Sequence, residues 1–190
     1  GRKFNAIFLR PFAQQFLKIL NEKGITVIIW SAGSQYHVEK CLEKLDPKSN
    51  LIHTGICAGN WITTESLNGF ITKNIHRLSH ICDVNRMILI DNSQWVCLKN
   101  LQNSIVVPDF RMYMKNDTIL QKLLTILISC HKELTHNPST SIVYILQNNK
   151  NIVQQISIVN MKFVAWNKIS EDTQIYSPID KNQGLQKVAN

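Results

Sequence analysis

The chain has 190 residues, of which 44% are hydrophobic and 18% charged. That length and balance suit one domain with an appendage and exclude disorder throughout. The formal net charge is +8, from 21 Lys and Arg against 13 Asp and Glu; it suits an acidic or phosphorylated partner or a mitochondrial address, while the dispersed basic residues give no nucleic-acid footprint.

Pro11 to Lys23 reads as a helix, with Pro11 in its first turn, Phe12, Phe16 and Leu20 at helical spacing, and Gly24 as its stop. Ile25 to Trp30 is a β-branched apolar run without alternation, which predicts a strand buried on both faces of a parallel sheet. Tyr36 to Leu45 reads as a second helix presenting Val38, Cys41, Leu42 and Leu45. Leu51 to Ile71 is punctuated by Thr and Gly, which predicts a small antiparallel β insert. Met87 to Ile90 and Ser104 to Val107 are two further buried strands, and Asn116 to Cys130 is an amphipathic helix capped by Asn116 or Asp117. This order predicts a three-layer, Rossmann-like α/β fold. From Asn137 the composition shifts to Asn, Gln, Ser and Ile, with strand-like runs at Ser141–Leu146 and Met161–Trp166. The division is therefore a domain over residues 1–136 and an extension with one or two strands over residues 137–190.

No apolar run approaches the roughly 20 residues of a membrane span; the longest, Ile119 to Ile128, is broken by Gln121, Lys122 and Thr125. The five cysteines (Cys41, Cys57, Cys82, Cys97 and Cys130) are scattered without a C-x-x-C pair, which predicts free thiols in a reducing, intracellular compartment. The chain opens on Gly1 without a secretory pattern or an initiator Met, so a processed, excised or incomplete sequence is expected.

In open parallel sheets, ligands bind beyond the carboxyl ends of the strands. Trp30 hands over to Ser31-Ala32-Gly33, a hydroxyl and backbone amides suited to an anion such as phosphate. Ile90 hands over to Asp91-Asn92-Ser93, two oxygen donors of the kind Mg²⁺ prefers. Each loop taken alone also reads as an ordinary turn or Asx cap; on neighbouring core strands they point together to one site. Lys73, between Phe70-Ile71 and Ile75, is placed to reach that crevice as a fixed charge.

Five segments carry a resemblance. Leu9-Arg10-Pro11-Phe12 with Phe16-Leu17 is similar to a K-R-P-x-x-x-x-F-L lead into a first helix, and Val27 to Gly33 with Tyr36 to a strand ending in Thr or Ser. Lys73 to Leu78 is similar to K-D-L-x-x-L, Arg86 to Ser93 to R-V-L-I-L-D-N-S, and Asn103 to Phe110 to N-x-V-x-V-x-x-F. In this order, over about residues 7 to 134, they resemble the CTD-phosphatase (NLI-interacting-factor-like) family of the haloacid dehalogenase superfamily. The resemblance implies a Mg²⁺-dependent protein serine/threonine phosphatase, of the type best known for the RNA polymerase II tail. It implies that Ser31 hydrogen-bonds the transferring phosphoryl group and that Lys73 neutralises it and orients the nucleophile. It further implies that Asn92 ligates Mg²⁺ and that Asp91 binds the metal or its water. A nuclear or cytoplasmic location follows, with the mitochondrion as the alternative.

The sequence departs from that pattern in two places. Asn74 replaces the usual Asp of the third motif, and the first motif, D-x-D-x-T/V, which carries the nucleophile, is absent where it belongs upstream of Phe8. The acidic residues Asp46, Asp83, Asp109, Glu171 and Asp172 do not supply it. The chain alone is therefore expected to be inactive, and its central strand, between those ending at Trp30 and Asp91, is expected to come from an upstream segment, a partner chain or the run Met161–Trp166. The alternative function is that of an inactive binding subunit, like the receptor of the mitochondrial inner-membrane translocase.

Overall fold

The computed structural model describes residues 6–56, 65–67 and 70–152. Helix α1 (Ala13–Glu22) buries Phe16, Leu17 and Leu20. It stops as predicted at Gly24, whose φ of +72° lets the Ile25 N–H reach the Leu20 carbonyl and the Gly24 N–H that of Asn21, both at 2.9 Å. Those are the two bonds of a Schellman cap. Strand β1 (Ile28–Trp30) follows, then helix α2 (Gln35–Leu45), which begins where the Ser34 hydroxyl accepts the His37 N–H at 3.4 Å.

The chain then returns as β2 (Thr54–Ile56), parallel to β1, with Ile28 opposite Thr54 and Trp30 opposite Ile56. This corrects the expectation of a wholly antiparallel insert over Leu51–Ile71. The cause is Asp46, buried at the end of α2, whose carboxylate accepts the N–H groups of Asn50, Leu51 and Ile52 at 3.2, 2.7 and 2.9 Å and turns the chain back. Gly55 lets β2 lie close under α2, since a Cβ there would stand 2.7 Å from Leu42 Cδ1. The antiparallel part of the insert is the hairpin of β3 (Glu65–Leu67) and β4 (Phe70–Thr72), with Leu67 opposite Phe70.

Strands β5 (Leu89–Asp91) and β6 (Ser104–Val106) pair in parallel, with Leu89 opposite Ser104 and Asp91 opposite Val106. Side chains of β6 alternate between two cores. Ile105 joins α1 and the following helices, whereas Val106 joins Ile75, Leu89, Cys97 and Leu101. Apolar packing on both faces of this sheet is the α/β layering that the sequence predicts.

Helix α3 (Ile119–His136) buries Leu123, Leu124, Ile126, Leu127, Cys130 and Leu134. The N-cap is Thr118 rather than the predicted Asn116 or Asp117, and Asp117, one residue earlier, accepts the Ile119 N–H at 3.0 Å. Ser141–Leu146 is a helix rather than a strand: α4 spans Ile142–Asn148. The Ser141 hydroxyl accepts the Tyr144 N–H at 3.2 Å, and Ile142, Ile145 and Leu146 form one buried face against α3. The cap and the i, i+3, i+4 spacing outweigh the β-propensity of Ile and Val. Met161–Trp166 lies outside the described residues. Among the described residues no helix is long and apolar enough to cross a membrane.

Burial alone pushes the Asp46 carboxyl upward, but the N–H groups of Leu51, Ile52 and Asn50 outweigh it and hold the carboxyl below its ordinary value. A depressed folded-state value adds stability above the unfolded value of about 3.9, lost as pH falls through the folded one. Asp46→Asn is expected to cost about 1–3 kcal/mol at pH 7. In urea denaturation across pH, its deficit against wild type is expected to shrink as Asp46 protonates.

Candidate active site

The carboxyl ends of β1 and β5 open on a groove of about 650 Å³. Ile28, Ile29 and Trp30 line one side, and Ile90, Asp91 and Asn92 line the other, with Lys73 entering from beyond β4. Among the described residues β1 pairs only with β2 and β5 only with β6. The two strands are accordingly half-buried along Ile28–Trp30 and at Ile90 rather than buried on both faces. Among the described residues the buried indole Nε1 of Trp30 has no hydrogen-bond partner. A second cavity, of about 390 Å³, lies among Gly24, Thr26, Ser49 and His53 and contains none of the predicted site residues.

Lys73 is 7% exposed, and its Nζ lies 2.8 Å from Asp91 Oδ2. Its position is set through the backbone. The Lys73 N–H donates to the Val96 carbonyl at 3.0 Å, and the buried Asn100 holds the following turn. Asn100 Nδ2 donates to the Lys73 carbonyl, and Asn100 Oδ1 accepts the Ile75 N–H at 3.0 Å. The Asn100 carbonyl in turn accepts the Ser104 hydroxyl at 2.7 Å, which ties the arrangement to β6. Asn74, the departure in the third motif, accepts the His76 N–H at 3.1 Å and starts the 3₁₀ turn Ile75–Leu78. Asp at that position offers the same acceptor, so the substitution leaves the local fold intact.

Asp91 Oδ1 accepts the Ser93 N–H at 2.9 Å, an Asx turn, while Oδ2 faces Lys73. Asn92 Nδ2 donates to Asp109 Oδ1 at 2.7 Å. Ser31 follows β1 and donates its N–H to the Ile56 carbonyl at 2.9 Å, and its hydroxyl accepts the Gly33 N–H at 3.0 Å. The structure thus brings Lys73, Asp91 and Asn92 into one groove and leaves Ser31 beside Trp30, next to the lining residues.

Asn100 and Asp109 were not singled out by their sequence pattern. The signal for Asn100 is an amide next to Lys99 between the apolar residues Val96-Cys97-Leu98 and Leu101, and for Asp109 a carboxylate just past a buried strand. Asp91, Asn92 and Asp109 offer oxygen donors, which fit a Mg²⁺ ion that keeps water at its other positions. No cluster of three or more His, Cys, Asp or Glu side chains that could hold a metal occurs among the described residues.

The described cysteines, Cys41, Cys82, Cys97 and Cys130, are free. Burial pushes the Cys97 thiol up to about 11 and the Cys130 thiol up to about 12, which keeps both protonated and unreactive.

Parallel strands with helices, a small hairpin insert and a polar groove at the carboxyl ends form an α/β domain, in keeping with the haloacid-dehalogenase-like fold that the sequence resemblance implies. Residues 2–137 match the family described as NLI interacting factor-like phosphatase, and the chain belongs to that family. Among solved structures it is similar to Fcp1, described as an essential RNA polymerase II CTD phosphatase, with a TM-score of 0.59 and 15% identity over 73% of this chain and 53% of that one. The fission yeast RNA polymerase II CTD phosphatase Fcp1 bound to beryllium fluoride aligns at a TM-score of 0.46 and 17% identity, over 82% of this chain and 42% of that one. The chain spans about half the length of the solved chains it matches.

Asn100→Ala strands two buried backbone groups. It is expected to cost about 1–3 kcal/mol in urea denaturation, with the Ile75 amide proton among those whose hydrogen exchange accelerates most.

Proposed function

We propose that this chain is the phosphoryl-handling part of a Mg²⁺-dependent protein serine/threonine phosphatase module acting on phosphoprotein, of the RNA polymerase II CTD-phosphatase type. The observation that carries this reading is the buried Lys73–Asp91 pair, 2.8 Å apart beside Asn92 at the carboxyl end of a core strand. Lys73 places a fixed positive charge where phosphoryl oxygens would lie. Ser31 offers a hydroxyl at the end of β1. Asn92 would hold Mg²⁺ directly and Asp91 would hold the ion or its water, with Asp109 fixing the Asn92 amide. When bound, the ion supplies charge neutralisation for the transferring group.

In this reading the nucleophilic aspartate comes from an extended segment lying between β1 and β5. The half-buried facing strands and the unpartnered Trp30 indole support that placement, since an added strand would pair both edges and offer carbonyl acceptors. Residues 1–136 form the partial phosphatase homology domain and residues 137–190 the extension, whose helix α4 packs on the core. A nuclear or cytoplasmic compartment suits such a module.

One observation favours a non-catalytic binding subunit instead: both Asp91 oxygens are satisfied from within the chain, by Lys73 and by the Ser93 N–H. p-Nitrophenyl phosphate turnover separates the readings. The chain alone is expected to be inactive, and the chain joined to an upstream D-x-D-x-T segment to turn over only with Mg²⁺. Lys73→Met should then lower kcat by about 10²–10³-fold, as expected for loss of one charge-stabilising group. A folded, joined protein without Mg²⁺-dependent turnover would leave the binding-subunit reading standing.

A further inference from the structure

Arg10 holds both ends of the loop over residues 109–116. Its NH1 donates to the Pro108 carbonyl at 3.0 Å, while Nε and NH2 form a two-pronged pair with Asp117 at 2.9 and 2.8 Å. The guanidinium also lies 5.7 Å from the centre of the Phe110 ring. Both partners are well buried, at 12% and 2% side-chain exposure, and the Arg10 hydrogen bonds hold the Asp117 carboxyl below its ordinary value. A planar guanidinium that binds a carboxylate, a carbonyl and a ring together fixes orientation as well as distance.

Inside the loop the backbone closes on itself. The Met114 N–H donates to the Arg111 carbonyl at 2.8 Å, the Lys115 N–H to Tyr113 at 2.9 Å and the Asp117 N–H to Met114 at 3.2 Å. Met114 turns inward, where its sulfur accepts the Arg111 N–H at 3.3 Å. The result is a compact surface loop with a fixed base, of the kind that often carries function.

What the loop presents is costly to leave in water. Tyr113 is 76% exposed and Met112 65%, the two most exposed large hydrophobic side chains among the described residues. Arg111, 64% exposed, and Lys115 flank them, and Arg111 makes a loose 3.6 Å pair with Asp109. At its base the loop reaches the candidate active site, where Asp109, Phe110 and Arg111 line the groove. An aromatic ring and a thioether on a preorganised base, framed by positive charge, is a recognition surface rather than a connector.

We propose that this loop is a docking platform for the peptide that flanks the phosphorylated residue: an acidic segment bearing an apolar or aromatic side chain. Met112 and Tyr113 receive that side chain, and Arg111 and Lys115 receive the acidic residues. The groove's part in this rests on the phosphatase reading above; the loop's part does not.

The test uses a fluorescein-labelled peptide with one aromatic residue between glutamates and a nearby serine, made with and without phosphate on the serine. Its binding to the full chain is followed by anisotropy. Both forms are expected to bind, the phosphorylated one about tenfold more tightly. The double variant Met112→Ser, Tyr113→Ser is expected to weaken both forms about 10–100-fold, with an unchanged thermal midpoint because both side chains are exposed. Arg111→Glu is expected to weaken binding and flatten its salt dependence. Unchanged peptide affinity in the folded double variant overturns the proposal. So does a chain that binds neither peptide, or one that instead self-associates through this loop in sedimentation. Equal binding of the two peptides, still lost in the double variant, would sink the phosphate reading of the groove and leave the loop's role standing.

Discussion

Taking an ammonium and a carboxylate out of water costs several kcal/mol each, and their attraction offsets this only when the geometry is good and the remaining polar atoms are satisfied. Lys73 and Asp91, at 9% and 11% side-chain exposure, meet at 2.8 Å because neither is free to move away. Asp91 is held at the end of β5 by its register with Val106 and by the Ser93 N–H. Lys73 is held by Val96 and Asn100, and Asn100 by Ser104 on β6. The ion pair therefore depends on the β5–β6 pairing, and the groove keeps its shape as long as that pairing does.

The parts of this arrangement that were legible in the sequence are those written in local patterns. Gly24 after a helical run marks a helix end because only a residue tolerant of positive φ closes that cap cheaply. Met87–Ile90 and Ser104–Val107 show themselves as strands through unbroken apolar runs, and Asp91-Asn92 stands where such a strand stops. The less legible parts depend on distant partners. Asn100 matters through Lys73 and Ile75, far away along the chain, and no periodicity announces such a contact. Ser141–Leu146 misleads for a local reason: a short Ile/Val run fits either period until its cap and its packing face decide between them.

Burial along β1 adds a constraint that hydropathy alone does not carry. An unbroken Ile-Thr-Val-Ile-Ile-Trp run calls for cover on both faces and both edges, yet Ile28, Ile29 and Trp30 are only half-buried, and among the described residues nothing accepts the Trp30 indole N–H. The same holds at Ile90 across the groove. Two strand edges that face each other across the groove, lined by Ile28, Ile29, Trp30 and Ile90 beside the charged groups, suit an extended chain better than a compact ligand. Such a chain would bring its own backbone groups to pair, whereas a small molecule would leave the strand N–H and C=O groups unanswered.

Three side chains solve the same problem in this fold. Asp46 gathers the N–H groups that turn the chain into β2, Asn100 pins the backbone on both sides of Lys73, and Arg10 joins Pro108 to Asp117. Each is a polar group withdrawn from water and matched to backbone or to an opposite charge. Leaving such a group unmatched costs more than a typical hydrogen bond contributes, so each one disfavours alternative loop paths more strongly than it stabilises the chosen one. The apolar residues decide that strands and helices pack. These three decide where the loops between them run, and the loops carry the groove's charge. A change at Asn100 would thus reach Lys73 through the backbone without touching the groove itself, whereas Arg10 also lines the groove.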